Sequence, residues 1–462
     1  MTYDFGLVGL GVMGRNFILN VADHDFSAFG LDTDPEKVAA LKEEGAGKVV
    51  SGTSDKVEFV KALNTPRKIM LLVPAGKVVD LVIEDLLPHL DEGDLIIDGG
   101  NSFFEDTDRR FNYLKDKGIH FMGSGVSGGA KGARFGPSMM PGGSPESYEL
   151  VKPIFEAAAA KVNGEPCVAF MGNGSAGNYV KMVHNGIEYG MMQLIAEVYD
   201  LMKTGLGKSN AELHSIFDQW NKGRLQSFLL EITAEIFTKK DEEGPGDLVD
   251  KILDKAKQKG TGKWTSQNAM DLGIATPTID AAVTMRGLSS LKADREKAQE
   301  IYGNKGKVGG LLDVDQIESA LYVSFIVAYA QGMAQLKAAS EEYGYDLDLA
   351  TIAKIWRGGC IIRSAILEDM MNAYNASPDL SNLLLDEDFA SGVKGGLEDF
   401  KEVVAYAVTH NIPVMTLGTS LHYLQSFTTG RLPLNLVQAQ RDHFGSHTYE
   451  RTDKEGIFHT EW

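Results

Sequence analysis

The chain has 462 residues, about three times the length of a typical domain, so we expect two or three domains. Hydrophobic residues make up 43% of it and charged residues 24%, which is typical of a folded protein and excludes a disordered one. Asp and Glu total 64 against 45 Lys and Arg, and the resulting net charge of −19 disfavours nucleic acid as a partner.

Neither a targeting segment nor a metal site is indicated by the sequence. The first five residues contain no basic side chain and lead directly into a predicted strand. No apolar run approaches the roughly 18 residues that a membrane-spanning helix needs. The two cysteines, Cys167 and Cys360, are too few for a disulfide framework, and no Cys/His group has zinc-ligand spacing. We therefore expect a cytoplasmic protein with no membrane partner and no metal.

The first third of the chain alternates short apolar runs with glycine-rich turns and amphipathic stretches. Strands of this apolar kind are buried on both faces, as in a parallel sheet covered by helices. Pro35 suits the first turn of a helix, which we predict over residues 35–44. The pattern indicates a doubly wound α/β fold of the Rossmann type, with predicted strands at residues 5–10, 27–31, 69–73 and 95–97.

A glycine fingerprint follows the first predicted strand and precedes a predicted helix. In this setting the first glycine makes a tight turn, the second lets the backbone approach a pyrophosphate, and the third lets the helix pack on the strand. The helix N-terminus then offers N–H groups to the phosphates. A glycine-rich turn without a ligand is the alternative. The residues that we expect to bind a dinucleotide here are Gly9, Leu10, Gly11, Val12, Met13 and Gly14.

An acidic residue is expected at the end of the second strand of such a site, and Asp32 occupies that place. Its carboxylate can accept hydrogen bonds from the ribose hydroxyls of NAD, and it would repel the 2′-phosphate of NADP. Asp34 adds a second negative charge, although it can also cap the helix that begins at Pro35. No Lys or Arg within residues 30–36 would attract the phosphate. The sequence therefore favours NAD.

Long stretches with a helical period begin after a glycine-rich segment at residues 172–177. We therefore predict a dinucleotide-binding domain over residues 1–173, an all-helical domain over 174–432 and a C-terminal tail over 433–462. The tail is aromatic and polar, so a frayed terminus is one interpretation of it.

Two short motifs recur in the helical region in the same order. The sequence Gly-Met-Met-Gln-Leu at 190–194 returns as Gly-Met-Ala-Gln-Leu at 332–336. A Trp…Gly…Ser pattern that begins at Trp220 returns at Trp356. Two such repeats in one order favour a duplicated helical unit over chance.

A polar stripe runs along one face of the predicted helix that contains residues 181–190. Lys and Glu two turns apart make a plausible general base and acid, provided that burial or neighbouring cations lower the lysine pKa from about 10.4 to roughly 7–8. The opposite face is apolar or small, so a solvated surface helix is the alternative. The stripe consists of Lys181, His184, Asn185, Glu188 and Tyr189.

Four motifs, at residues 125–130, 181–189, 258–264 and 441–449, resemble those of the 6-phosphogluconate dehydrogenase family over nearly the whole length. The resemblance implies oxidative decarboxylation of 6-phosphogluconate to ribulose 5-phosphate and CO2 with reduction of NAD(P), in the pentose phosphate pathway. It also implies a homodimer in which the tail of each chain enters the active site of its partner. NADP is the usual cofactor of this family.

The same resemblance implies a role for individual residues. Lys181 matches the general base and Glu188 the acid that protonates C1 of the enediol. Positions that hold the carboxylate and hydroxyls of the sugar acid correspond to Asn101, Ser127, Gly128, Gly129, His184 and Asn185. Positions around the phosphate correspond to Tyr189, Lys259, Arg286 and, from the second subunit, Arg441, with His447 as a further contact from that subunit.

The sequence departs from the family at the adenosine end of the cofactor site. The family commonly reads Asn-Arg-Thr where this chain has Asp32-Thr33-Asp34, and it often has Lys before Ala-Gly where this chain has Pro74. Both changes remove positive charge, so we expect NAD to be preferred or at least used. The remaining residues that we assign to cofactor binding are Val73, Ala75 and Asn101.

Two alternatives stay open at this point. A related β-hydroxyacid dehydrogenase would share the fingerprint and the helix lysine, but it would lack the phosphate cluster and the second helical repeat. A nucleotide-binding protein without turnover would have no need of both Lys181 and Glu188.

Overall fold

The structure, a computed structural model, describes residues 2–303, 306 and 308–462. In this part of the chain the strands are β1 (Phe5–Val8), β2 (Ala28–Leu31), β3 (Val50–Thr53), β4 (Lys68–Leu71), β5 (Leu95–Asp98), β6 (His120–Ser127), β7 (Ser138–Gly143), β8 (Lys161–Val162), β9 (Glu165–Pro166), β10 (Gly172–Asn173), β11 (Tyr449–Glu450) and β12 (Ile457–Phe458).

The α-helices are mostly grouped after residue 175. Over the same described ranges they are α1 (Val12–Asp23), α2 (Pro35–Glu44), α3 (Lys56–Lys61), α4 (Lys77–Leu86), α5 (Phe104–Lys115), α6 (Gly129–Phe135), α7 (Pro145–Ala158), α8 (Ala176–Asp200), α9 (Asn210–Trp220), α10 (Phe228–Ile236), α11 (Thr261–Asp271), α12 (Pro277–Ser290), α13 (Lys292–Tyr302), α14 (Val314–Tyr343), α15 (Leu349–Trp356), α16 (Ile366–Ala376), α17 (Glu387–Thr409), α18 (Met415–Phe427) and α19 (Leu434–Gly445).

The N-terminal domain is built on an eight-stranded sheet in the order β10-β7-β6-β5-β4-β1-β2-β3. Its strands pair in parallel except for β6 and β7, which are antiparallel. One apolar core, which includes Phe17 and Phe155, covers one face of the sheet, and a second, which includes Phe59 and Ile83, covers the other. The predicted doubly wound Rossmann fold is therefore confirmed, with an antiparallel strand that the sequence pattern did not predict.

The predicted elements of this domain are present with small differences at their ends. The strand predicted over residues 5–10 ends at Val8, because Gly9 turns the chain with a φ of +98°. The helix predicted over residues 35–44 has those bounds. Asp34 caps it by accepting a hydrogen bond from the Glu36 N–H, which is the capping role considered from the sequence.

The helical domain is organised around the two long helices α8 and α14. They approach closely where Gly332 lies against Ile187, since a Cβ on Gly332 would lie 2.5 Å from the Ile187 side chain. Most residues of α8 are buried, including every residue of the polar stripe except Glu188, which is partly exposed. The alternative of a solvated surface helix is therefore wrong. Among the described residues, no helix is both long and apolar enough to cross a membrane.

The arrangement of the helices supports the predicted duplication. A long helix, a short helix that ends in Trp, and a further helix follow one another as α8, α9 and α10, and again as α14, α15 and α16. The two Trp…Gly…Ser segments lie side by side, with Ser227 paired to Ser364 in an antiparallel bridge. The Phe228 N–H donates to the Arg363 carbonyl at 3.0 Å, which fixes this register.

The C-terminal tail folds as helix α19 followed by the hairpin of β11 and β12, so the interpretation as a frayed terminus is wrong. Its hydrogen bonds converge on the buried carboxylate of Asp442, which accepts from the Thr448 N–H (2.9 Å), the Thr460 N–H (3.0 Å) and the Trp462 indole (2.9 Å). Most other residues of the tail are exposed, including the apolar side chain of Phe444.

Candidate active site

The glycine fingerprint forms the turn between β1 and α1, and its three glycines have three different environments. A Cβ on Gly9 would lie 2.6 Å from the Leu72 carbonyl oxygen, and one on Gly14 would lie 1.9 Å from the Gly9 carbonyl oxygen. A Cβ on Gly11 would have no heavy atom within 4 Å. Gly9 and Gly14 are thus required by tight backbone packing, whereas Gly11 leaves open space at the start of α1, where a pyrophosphate can approach.

A cleft of about 950 Å³ opens beside this turn, and its walls come from the carboxyl ends of the strands. Of the residues predicted to bind the cofactor, the cleft is lined by Gly9, Gly11, Asp32, Thr33, Val73 and Pro74. Leu10, Val12, Met13 and Gly14 belong to the same turn or to the start of α1, Asp34 caps α2, and Ala75 and Asn101 lie in the loops after β4 and β5. The open space at Gly11 and the strand-end walls fit a dinucleotide.

Asp32 is engaged by the protein itself. One carboxylate oxygen accepts a hydrogen bond from the Leu10 N–H at 2.7 Å, and the other accepts from the Asp34 N–H at 3.0 Å. The Nζ atom of Lys37 lies 3.5 Å from Asp32 and 3.8 Å from Asp34. Asp32 therefore braces the glycine turn while it faces the cleft.

Lys37 and Lys56 are cations that the sequence reasoning missed, and both line the cleft. Lys37 lies one residue beyond the segment 30–36, and the first turn of α2 brings it back to Asp34. The adenosine end of the cleft thus has a cation that residues 30–36 lack, although two carboxylates face Lys37 there.

Close packing against the sheet positions the polar stripe of α8. A Cβ on Gly125 of β6 would lie 2.3 Å from the Cβ of Lys181, and one on Gly177 would lie 2.2 Å from the Met140 carbonyl oxygen. The segment 125–130, which looks like a loop in the sequence, is in fact the end of β6, a turn at Gly128 with a φ of +115°, and the start of α6. These glycines let α8 lie directly on the sheet at the junction of the two domains.

A buried chain of polar contacts surrounds Lys181. Its Nζ atom lies 3.3 Å from His184 Nδ1, and His184 Nε2 lies 3.2 Å from Ser127 Oγ. Asn185 Oδ1 lies 3.0 Å from His184 Nδ1, while Asn185 Nδ2 donates to Thr261 Oγ1 at 3.2 Å. Lys181, His184, Ser127 and Asn185 are thus joined in one buried polar network.

Burial sets the protonation states of this group. It lowers the pKa of Lys181, and the negative charge of Glu188 opposes the shift. Burial together with the charge of Lys181 lowers the pKa of His184 well below its ordinary value. Burial raises the pKa of Glu188 against the opposing charges of Lys181 and Arg286, and the Glu188 side chain remains 21% exposed. Burial thus shifts the amine and the imidazole toward their neutral forms and the carboxyl toward its protonated form.

Tyr189 and Arg286 meet beyond Glu188. The guanidinium of Arg286 lies 4.6 Å from the centre of the Tyr189 ring, and it donates to the Lys257 carbonyl at 3.2 Å. Gly262 allows α11 to pack on the same ring, since a Cβ there would lie 2.5 Å from it. Lys259 is exposed on the segment that leads into α11. Tyr189 and Arg286 are therefore in contact in the chain's own fold, and Lys259 lies on the segment between Lys257 and Gly262, which contact them.

Arg441 and His447 are presented differently. Both are exposed on the tail, where Arg441 donates to Gln438 at 3.1 Å and the His447 ring contacts Phe444. Among the contacts of the described residues, none joins either side chain to the site on α8. A single chain therefore brings together the residues around Lys181 but not these two.

The last residue of α15 and the segment that follows it contact the site, and the sequence did not predict this contact. The Ile361 N–H donates to Ser127 Oγ at 3.3 Å, the Trp356 ring lies edge-on to His184 with ring centres 5.5 Å apart, and a Cβ on Gly128 would lie 2.5 Å from the Gly359 carbonyl oxygen. Its only signal in the sequence was the repeated Trp…Gly…Ser pattern.

Over the described ranges, no group of three or more His, Cys, Asp or Glu side chains is placed to hold a metal ion.

Sequence models of one family match both domains. The model for the NAD binding domain of 6-phosphogluconate dehydrogenase matches residues 4–172, and the model for the C-terminal domain of 6-phosphogluconate dehydrogenase matches residues 177–462.

Full-length relatives agree with these matches. The chain is 52% identical to the NADP(+)-dependent, decarboxylating 6-phosphogluconate dehydrogenase of Bacillus subtilis, with 99% of this chain and 98% of that protein covered. It is 50% identical to the decarboxylating enzyme of Escherichia coli with the same coverage. Plasmodium falciparum 6-phosphogluconate dehydrogenase has been solved in its apo form and in complexes with its cofactor NADP+ and its substrate 6-phosphogluconate. That structure superposes with a TM-score of 0.96 at 45% identity, covering 99% of this chain and 100% of that one. This chain belongs to the 6-phosphogluconate dehydrogenase family.

Proposed function

We propose that the chain oxidises 6-phosphogluconate at C3 and decarboxylates the product to ribulose 5-phosphate, with reduction of a nicotinamide dinucleotide. The observation that carries this proposal is the buried contact of Lys181 with His184. The same ring nitrogen of His184, Nδ1, lies 3.8 Å from Oε2 of Glu188. A low-pKa amine and a high-pKa carboxyl on one helix are the base and acid that this reaction needs.

Lys181 serves as the base in the first step. Its neutral amine removes the proton from the 3-hydroxyl of the substrate. A nicotinamide dinucleotide held in the cleft at Gly11 and Asp32 would supply the acceptor for the hydride at C3. The C3 carbonyl that results can take up the electron pair that is released when the C1–C2 bond breaks and CO2 leaves. The protonated Lys181 then donates to the enolate oxygen at C3, which stabilises the developing charge.

Glu188 serves as the acid in the last step. Loss of CO2 leaves an enediol that needs a proton on the carbon that was C2 of the substrate and becomes C1 of the product. A carboxyl whose pKa is raised by burial holds that proton near neutral pH. The carboxylate that remains recovers a proton before the next turnover.

The substrate-binding residues would fix the sugar acid between these groups. Ser127 and His184 form one side, together with the Gly128–Gly129 turn, Asn101 and Asn185. Arg286 can hold a phosphate with two parallel N–H donors, and Lys259 adds a second cation beside it.

We further propose a homodimer in which Arg441 and His447 of the tail complete the phosphate end of the partner's site. The exposure of both side chains on a folded tail supports this assembly, as does the exposure of the apolar residues Leu436 and Phe444 there.

The cofactor preference that we propose is NAD+. Asp32 lines the cleft at the end where the 2′-phosphate of NADP would bind, Asp34 lies two residues beyond it, and Lys37 is shared between the two carboxylates. Two carboxylates around one lysine leave a net negative charge, so NADP+ binds less well than it would beside an arginine. The relatives from Bacillus subtilis and Plasmodium falciparum use NADP+.

A turnover assay tests the proposed reaction. The protein is mixed with 6-phosphogluconate or with 3-hydroxyisobutyrate, each with NAD+ and with NADP+, and absorbance at the reduced nicotinamide band is followed together with CO2 release. We expect equal amounts of CO2 and reduced cofactor with 6-phosphogluconate only. Turnover of the unphosphorylated acid alone would support the related dehydrogenase, and no turnover with either would support a binding protein.

A further inference from the structure

We propose that Arg110 is a positioning residue that sets the cofactor-side loops relative to the catalytic helix α8. This inference rests on the proposed function, since it concerns how the two reacting groups are held in register. Arg110 is on α5 and its side chain is only 1% exposed, which is rare for an arginine outside a functional or structural network.

The guanidinium of Arg110 holds the loop that follows β4. It donates to the Gly76 carbonyl at 3.0 Å and to Asp80 at 2.7 Å, and both residues lie at the start of α4. This loop also contains Pro74, which lines the cofactor cleft. Arg110 therefore fixes one wall of the cleft from behind.

The same guanidinium also reaches the loop that follows β5. It lies 3.3 Å from Asp98 Oδ2 and 3.4 Å from Ser102 Oγ. Asp98 in turn accepts hydrogen bonds from the Ser102 hydroxyl at 2.6 Å and the Gly100 N–H at 3.0 Å. Asn101 lies between these two residues, so the loop that carries it is held at both ends.

The network continues from this loop to α8. Asn178 Nδ2 donates to the Gly100 carbonyl at 3.2 Å, and Asn178 Oδ1 accepts from the Thr107 hydroxyl at 3.0 Å. Asn178 precedes Lys181 by three residues, so the two side chains lie on the same face of the helix. An unbroken path of hydrogen bonds thus runs from the Gly76 loop through Arg110 and Asp98 to the turn of α8 before Lys181.

Such a path matters because proton and hydride transfer require the base and the nicotinamide to be placed within a fraction of an ångström. A displacement of about 1 Å far from the reacting atoms can lower a rate on the order of 100-fold. The Gly76 and Asn101 loops contact the cofactor side, and Lys181 contacts the substrate. Arg110 is the one side chain in this path that holds both loops.

The adjacent Arg109 provides a matched control. It also donates to Asp80, at 3.0 Å, and to Asp106, but it is 54% exposed and its described partners do not include Gly76, Asp98 or Ser102. Replacement of either arginine by lysine keeps the charge. Only Arg110→Lys removes the fork that spans the two loops.

The experiment compares Arg110→Lys with Arg109→Lys in the full-length enzyme. For Arg110→Lys we expect kcat to fall by about 10- to 100-fold, the cofactor Kd to rise, and the primary isotope effect with substrate deuterated at C3 to increase. The Kd of 6-phosphogluconate should change little, whereas the melting temperature should fall because buried hydrogen bonds of Arg110 are lost. Arg109→Lys should stay within about twofold of the wild type in every measurement.

Two outcomes would overturn the proposal. One is an Arg110→Lys enzyme with wild-type kcat and cofactor Kd, and the other is an activity loss that only follows the fraction of folded protein. Should Arg110→Lys fail to fold, Ser102→Ala removes one link of the same path with a smaller change, and the same loss of kcat is expected from it. Cofactor Kd is measured without substrate, so it tests Arg110 even if 6-phosphogluconate is not the substrate.

Discussion

The Nζ atom of Lys181 lies 3.3 Å from Nδ1 of His184, with both groups inside the protein. An ammonium group at Lys181 would lose most of its hydration in this buried position, and the neutral imidazole beside it has no charge to offset that loss. The geometry and the lowered pKa of Lys181 therefore agree on one protonation state. That state is the one in which a lysine can act as a base.

Lys181→Met should abolish turnover and stabilise the protein. The amine has no substitute in the site, so we expect kcat to fall by at least about 100-fold, while the cofactor Kd changes little. A buried lysine with a lowered pKa binds fewer protons in the folded state than in the unfolded state. It therefore lowers the free energy of unfolding at pH values below its unfolded pKa, and this destabilisation shrinks as the pH rises toward that pKa.

Removal of that cost should raise the free energy of unfolding at pH 7 by about 1–2 kcal/mol. Urea denaturation at pH 7 and pH 9 measures it, and the gain should be smaller at pH 9. Lys263→Met, at an exposed position of α11, is the control. A Lys181→Met enzyme that keeps its kcat would remove this lysine from the mechanism.

Glu188→Gln should separate the two halves of the reaction. The amide cannot donate a proton to the enediol, so kcat for product formation should fall by about 100-fold or more, with a smaller effect on substrate Kd. The raised pKa of Glu188 means that the acid form is lost as pH increases through it.

We therefore expect the rate to rise with pH as Lys181 loses its proton and to fall again as Glu188 loses its own, which gives a bell-shaped profile. The alkaline limb should be absent in Glu188→Gln. An unchanged alkaline limb in this variant would assign it to another group, and Glu235→Gln, at a different site on α10, controls for the charge change.

Local sequence features predicted the parts of the fold and site that depend on neighbours in the chain. Pro35 and Asp34 mark the start of α2 because a cap and a first turn involve only adjacent residues. The stripe of α8 follows from helical periodicity, which puts Lys181 and Glu188 on one face. Its burial could not be predicted in this way, since it depends on Gly125 and on α14.

Contacts between distant segments account for what was missed. Ile361 contacts Ser127 across 234 positions, and no local pattern links the two. Lys37 joins Asp32 because the first turn of α2 folds back over the end of β2. Arg110 looks like an ordinary surface arginine in the sequence, and only its side-chain contacts with Gly76, Asp80 and Asp98 reveal that it is buried.

Thr33→Arg should shift the cofactor preference from NAD+ toward NADP+. Thr33 lines the cleft between the two carboxylates and matches the position at which the family commonly has arginine. A guanidinium there can bind the 2′-phosphate with two hydrogen bonds, so we expect the ratio of kcat/KM for NADP+ to that for NAD+ to rise by about 10- to 100-fold.

The reverse change is Lys37→Ala, which should raise the KM for NADP+ and leave that for NAD+ within about twofold, because NAD+ has no phosphate at that position. Steady-state kinetics with both cofactors measure these ratios. If the wild-type kcat/KM for NADP+ is well above that for NAD+, the proposed preference is contradicted. Equal effects of Lys37→Ala on the two cofactors would place Lys37 away from the 2′-phosphate.

Complementation between two inactive variants tests the shared active site. If Arg441 acts in the partner's site, Arg441→Ala and Lys181→Met should each be inactive as homodimers. A mixed dimer would contain one site with an intact Lys181 from one chain and an intact Arg441 from the other. Unfolding and refolding of an equal mixture should therefore recover about a quarter of the wild-type activity.

The tail must remain folded for this test, and Asp442 provides the means to check it. This buried carboxylate, whose desolvation is outweighed by hydrogen bonds from His459, Thr460, Trp462 and Thr448, has its pKa lowered to about 2. Its ionised form therefore holds the tail at assay pH. Asp442→Asn should raise the substrate KM strongly, whereas Asp453→Asn, at an exposed pair with Arg451, should not.

Mixtures of Arg441→Ala and Lys181→Met that recover no activity, while both variants remain dimeric, would show that each site uses the tail of its own chain.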